Sequence, residues 1–110
     1  MPLLVLTYDL PPSRAISAYA DSARKAWIPS VLRQPGVVEI RAYRNATSTR
    51  PDVMTHVEFD SVQAVEGYLG SRQYSSVVMG LTSAGCTNIA AQVWNPSPVA
   101  PGPLRPNKSD

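Results

Sequence analysis

The stretch WIPSVLRQPGVVEIRAY, from Trp27 to Tyr43, constrains the fold more than any other part of the chain. It reads as the end of an amphipathic helix, a Pro35-Gly36 turn and an alternating strand. Along the strand Val38, Ile40 and Ala42 share one face, and Glu39, Arg41 and Tyr43 share the other. A helix delivered through a tight turn into a half-buried strand needs a sheet that helices cover on one side.

The flanking segments supply that sheet. Leu3 to Asp9 is a short apolar run rich in strand formers, ended by Pro11-Pro12. Ser13 stands as a helix N-cap. Ile16, Tyr19, Ala20, Ala23, Trp27, Ile28, Val31 and Leu32 then recur at helical spacing, with Arg14, Asp21, Arg24, Lys25 and Arg33 between them. Pro29 removes one intrahelical hydrogen bond, which predicts a kink or break near Trp27. Asp52 to Phe59 alternates again, with Val53, Thr55, Val57 and Phe59 opposed to Met54, His56 and Glu58. Asp60-Ser61 caps a helix from Val62 to Gly70, and Ser71 to Leu81 adds a further helical turn or two. Gly80 and Gly85 bracket a loop before a last strand, Cys86 to Trp94.

The order is strand, helix, strand, strand, helix, strand. This is the split βαβ, ferredoxin-like α+β arrangement with a four-stranded antiparallel sheet. It occupies residues 1–95 as one domain, and residues 96–110 form a proline-rich tail read as extended or disordered.

Composition narrows the partners. The chain has 110 residues, and only 16% of them are charged, against roughly 25% in ordinary soluble domains. That shortage suggests surface hidden in an oligomer. The net charge is +2 with no basic run, so nucleic acid is not an expected partner. No segment reaches the ~20 apolar residues of a membrane span, and no signal peptide is read at the N-terminus. A cytoplasmic location and no membrane partner are the expectations. The lone Cys86 reads as a buried packing residue. No metal-ligand spacing or phosphate-binding glycine loop is present, so no metal or other cofactor is expected.

With these elements in order, residues 1–95 resemble the dimeric α+β barrel superfamily, and within it the small domains typified by the antibiotic biosynthesis monooxygenases. Three features carry the resemblance: the Trp27 helix running through Pro35-Gly36 to Tyr43, the junction HVEFDSVQAVEGYLGS, and Tyr74 three residues after Ser71, where the family often has histidine. The resemblance implies a homodimer whose sheets pack face to face, and a small organic ligand held between sheet and helices. It implies either cofactor-free monooxygenase-type activity on an aromatic or polyketide-like molecule, or a non-catalytic stress-responsive or ligand-carrier protein.

Two sets of residues are candidates for a site. His56, Arg41 and Glu58 fall on one sheet face if the two middle strands form a hairpin, with Arg41 opposite His56. They read as a catalytic set, with His56 as general base, Glu58 orienting it and Arg41 holding an anionic or enolate oxygen. The other reading, and the one ion-pair networks favour, is a polar network inside a barrel or across a dimer interface, with Arg41 and Glu58 simply paired. Tyr8, Trp27, Tyr43, Tyr74 and Trp94 are the candidate substrate-binding residues, each with packing or interface contact as its other reading.

Overall fold

A computed structural model describes residues 1–107; residues 108–110 of the tail lie outside the described residues. Four strands, β1 (Leu3–Asp9), β2 (Val37–Arg44), β3 (Val53–Phe59) and β4 (Thr87–Trp94), form one sheet in the order β2-β3-β1-β4. All neighbouring pairs are antiparallel. Two helical crossovers, between β1 and β2 and between β3 and β4, complete the ferredoxin-like βαββαβ arrangement.

Strand parity decides what meets the helices. On β1, Leu4, Leu6 and Tyr8 face the helices, and on β3, Val53, Thr55, Val57 and Phe59 do so. The other face is open and carries Val5, His56 and Gln92 side by side across three strands. On β2 the simple alternation fails at its first residues. A bulge between Val37 and Glu39 shifts the register, so Val37 packs on the core and Val38 is left 48% exposed.

The first crossover is a continuous helical run with a change of pitch in its middle. A 3-10 turn (Ser13–Ala15) opens it, in place of a Ser13 cap, and Ala15 N–H donates to the Pro12 carbonyl at 2.8 Å. Helix α1 (Ile16–Ser22) follows, then a π-helical turn (Ala23–Trp27), then α2 (Ile28–Leu32). The Ile28 N–H donates to the Ala23 carbonyl five residues back. Pro29 has no N–H for the Lys25 carbonyl, so the ladder is already interrupted here. The expected break near Trp27 is therefore a wide turn that pushes Ala23, Arg24 and Trp27 toward the sheet.

The second crossover comprises α3 (Val62–Leu69) and α4 (Arg72–Ser83). The Ser61 hydroxyl accepts from Ala64 N–H at 3.1 Å and the Ser71 hydroxyl from Tyr74 N–H at 3.1 Å. With its own cap, the second segment becomes a 12-residue helix, not the further turn or two expected. Gly80 accordingly lies inside α4 and not at the start of a loop.

Two junctions hold the sheet ends. Gly36 sits at φ +83°, and a Cβ there would come 2.6 Å from the Ala64 Cβ. The Pro35-Gly36 turn can thus press against the start of α3 only without a side chain. At the far end the buried Asp9 carboxylate accepts from the Asn88 amide at 2.7 Å and from Asp52 N–H at 3.3 Å. Asp52 in turn accepts from Leu10 N–H at 2.8 Å and from Arg50 at 2.5 Å. This network ties β1, β3 and β4 together directly after Tyr8. Beyond Trp94, residues 95–107 have no regular secondary structure, and Val99 and Leu104 are exposed.

Candidate functional site: a cavity between sheet and helices

The helices meet the sheet in two apolar clusters. One surrounds Phe59, Val65 and Tyr68; the other surrounds Tyr8, Tyr19 and Leu81. Between them lies a cavity of about 380 Å³, within the roughly 300–1,000 Å³ of small-molecule sites. The space exists because Ala20, Ala23 and Ala42 line it where larger side chains would close it. An enclosed void of this size would cost on the order of 9 kcal/mol at about 24 cal/mol per Å³. That rivals the whole stability of a domain. The cavity instead reaches solvent past the exposed Ile28, Arg24 and Arg44.

Its wall is mostly apolar; the polar side chains in it are Thr55, the tyrosines Tyr8, Tyr19, Tyr43, Tyr68 and Tyr74, and two arginines. Inside, the Tyr8 and Tyr19 hydroxyls are hydrogen-bonded at 2.5 Å, their rings edge to face with centroids 6.1 Å apart. Two phenols bonded to each other use one of their two hydroxyl hydrogens and keep the other to donate. Trp27 stacks at a tilt on Tyr19, 5.9 Å between centroids. Burial, then the Tyr19 hydroxyl, pushes the Tyr8 phenol far above the ordinary tyrosine range; Arg44 pulls the other way. Burial and then the neighbouring Tyr74 push Tyr68 up to about 12, and burial raises Tyr74 as well. These phenols stay protonated at neutral pH. They are hydrogen-bonding groups and not bases.

At the mouth stand Arg24, on the π turn, and Arg44, at the end of β2. Among the described residues that line the cavity there is no carboxylate, histidine or lysine. Nor does any group of three His, Cys, Asp or Glu side chains among the described residues have an arrangement able to hold a metal ion. Chemically the site offers an apolar chamber, neutral phenols and two cations.

The residues expected from sequence divide between the two sheet faces. Tyr8, Trp27, Tyr43 and Tyr74 line the cavity. Trp94 does not; it pairs with Leu3 on the open face and is 55% exposed. His56, Arg41 and Glu58 also lie on the open face, away from the cavity. Arg41 is directly opposite His56 in the β2–β3 register, and Glu58 is opposite Glu39. Arg41 Nε donates to Glu39 Oε1 at 3.2 Å, an exposed pair. The Tyr43 hydroxyl, then Glu39, raises the Arg41 guanidinium further above its usual range. The Tyr43 ring rests on His56 with centroids 5.2 Å apart, so Tyr43 touches both faces at the sheet edge. Cys86 is buried, and burial raises its thiol pKa and so disfavours the thiolate.

Sequence reading did not single out Tyr19, Arg24 or Arg44. A signal existed for Arg44: it has the parity of Ile40 and Ala42, which places it on the helix-covered side of β2. For Tyr19 the signal was a hydroxyl within an apolar helix stripe, which needs a partner.

A ferredoxin-like domain with a small-molecule-sized cavity between its sheet and its helices is the class that these observations define. No protein-family profile matches the sequence, and no match is found among the curated proteins. Solved structures do share the fold. A protein from Deinococcus radiodurans, provisionally named an antibiotic biosynthesis monooxygenase, is 11% identical and covers 100% of both chains at a TM-score of 0.67. A dimeric ferredoxin-like protein of unknown function from Jannaschia sp. CCS1 is 16% identical and covers 86% of this chain and 97% of its own, at 0.66. HapK from Hahella chejuensis is 8% identical and covers 97% of this chain and 100% of its own, at 0.72. The chain therefore has the ferredoxin-like fold, shared with a protein provisionally named an antibiotic biosynthesis monooxygenase and with a dimeric ferredoxin-like protein.

Proposed function

We propose that the protein is a homodimer that binds a small aromatic or polyketide-like organic molecule in the cavity between sheet and helices, and that the activity of that site is a cofactor-independent, monooxygenase-type oxidation. The observation that carries the binding reading is the cavity itself, about 380 Å³ of mostly apolar wall with a buried phenol pair inside it. Flat ring systems suit such a chamber, because Trp27, Tyr19 and Tyr74 offer ring faces and edges within it. The oxidation reading draws on the monooxygenase name carried by a structure of the same fold. In such a reaction one atom of dioxygen would enter the substrate as a ring carbonyl, and the other would leave as water with the two hydrogens that the carbon gives up. The electrons then come from the substrate.

The homodimer reading is supported by the open sheet face, where Leu3, Val5 and Met54 are not covered by helices, and by dimeric proteins of the same fold. In that reading Arg41, His56 and Glu58 belong to the subunit interface, not to the chemistry.

A second reading, a non-catalytic carrier, uses the same cavity. Its specific support is the absence of any base among the described cavity-lining residues. Native mass spectrometry of protein purified from its own host, followed by oxygen-uptake assays on the retained molecule, separates the outcomes. A dimer with an organic ligand that consumes oxygen without additives, and gains an oxygen atom in mass, supports the monooxygenase reading. A ligand that is held but not turned over supports the carrier, and an empty monomer overturns both.

A further inference from the structure

We infer that the cavity takes its ligand as an anion: a ring-bearing apolar body in the chamber, with a carboxylate or an already ionised phenol or enol held by Arg24 and Arg44 at the mouth. The inference rests on the small-molecule reading above and names the chemical class that the site selects.

Charge is distributed one way around this cavity. Arg24 comes from the π turn and Arg44 from the last residue of β2, so two separate elements each contribute an exposed arginine to the cavity lining. Among the described residues Arg44 has no acidic partner within ion-pair distance. Arg24 has one, Asp21 at 3.3 Å, but both side chains are mostly exposed. Such a pair is weak enough for a ligand to displace. A guanidinium presents a planar fork of donors that matches a carboxylate or enolate oxygen. Behind the arginines the Tyr8–Tyr19 pair keeps one hydroxyl hydrogen to donate. A charged head close to the apolar wall meets a lower dielectric than in bulk water, which strengthens its attraction to both cations.

Chemistry points the same way. Among the described residues that line it, the cavity has no carboxylate or histidine to remove a proton from a neutral ligand, and burial holds the Tyr8, Tyr68 and Tyr74 phenols in their protonated form. A ligand that must be electron-rich in the site has to arrive ionised. Its own acidity then replaces the missing base.

Two fluorescent probes with one skeleton test this: 1-anilinonaphthalene-8-sulfonate, an anion, and N-phenyl-1-naphthylamine, its neutral counterpart. The anion is expected to bind several-fold tighter, with an affinity that falls as salt is raised. Arg44→Gln and Arg24→Gln are each expected to weaken the anion about fivefold and leave the neutral probe within about twofold, since both side chains are exposed and neither supports the fold. Arg44→Lys should retain most of the anion's affinity. Ala42→Trp, which fills the chamber, should remove both probes, and binding that survives it overturns the placement in the cavity. Equal affinities that ignore the arginine variants sink the inference and leave the binding reading standing. Failure of both probes to bind removes the binding reading itself.

Discussion

The indole Nε1 of Trp27 lies over Gly80 so closely that a Cβ on Gly80 would sit 2.6 Å from it. The π turn delivers Trp27 to this point, and α4 receives it only because position 80 lacks a side chain. Gly80→Ala adds a helix-favouring residue worth up to about 1 kcal/mol. It also drives a methyl into a rigid ring, an overpacking cost of about 1–3 kcal/mol. The net expectation is a loss of about 1–2 kcal/mol, read as a fall in melting temperature of about 4–8 °C per kcal/mol. An unchanged or higher melting temperature would show that Trp27 is free to move aside.

The Tyr8–Tyr19 hydroxyl pair should behave as one unit. Tyr8→Phe or Tyr19→Phe leaves a buried hydroxyl with half of its bonding lost, at about 1–3 kcal/mol each. The double variant removes both polar atoms, so its cost should fall short of the sum by about 1 kcal/mol. Urea denaturation of the four proteins measures the coupling. Strict additivity would mean that the two hydroxyls are independently solvated.

Alkaline stability follows from the raised phenols. Tyr68 ionises at 10.0 when exposed and at about 12 in the fold. The folded chain therefore holds a proton that the unfolded chain has released. The stability tied to Tyr68 is complete below pH 10 and is lost as the pH rises toward 12. Tyr8 adds to the same trend. Between these limits each such tyrosine contributes a slope of roughly 1.4 kcal/mol per pH unit. Denaturant midpoints from pH 8 to 12 should stay flat and then fall, and Tyr68→Phe should make the fall shallower. Phenolate absorbance that develops fully before any loss of fold would contradict the burial of these rings.

The open sheet face should govern assembly and not ligand binding. Val5 lies on the central strand between His56 and Gln92. Val5→Glu places a carboxylate in the middle of the proposed interface and should convert a dimer into a monomer in light scattering. His56→Ala and Arg41→Ala should alter self-association while leaving probe affinity within about twofold, because the sheet separates them from the cavity. A tenfold loss of probe binding in His56→Ala would return that residue to the site.

Much of the fold was legible in local patterns. Val53, Val57 and Phe59 alternate strictly with His56 and Glu58, so β3 could be read with its faces assigned. Pro35-Gly36 marks a turn that physically requires a residue without a Cβ. Where the reading went astray, a nonlocal contact overrode a local rule. Gly80 looks like a loop residue until the Trp27 ring is found beside it, and Val38 keeps its alternation until the bulge shifts it outward. The helical pattern around Pro29 announced an interruption, but not that a π turn would absorb it.

The sequence by itself determined the order of strands and helices, the hairpin register that sets Arg41 opposite His56, and the aromatic residues Tyr8, Trp27 and Tyr74 as candidates for a site. Periodicity, proline and glycine act within a few residues, so a single chain can be read for them. Only the tertiary structure decided which face of the sheet the helices cover and where they fail to fill the space above it. That choice put the ionisable cluster of Arg41, His56 and Glu58 on the open side and brought Tyr19, Arg24 and Arg44 to the cavity. A cavity is a shortage of side-chain volume among residues far apart in sequence, here Ala20, Ala23 and Ala42, and no local pattern records it.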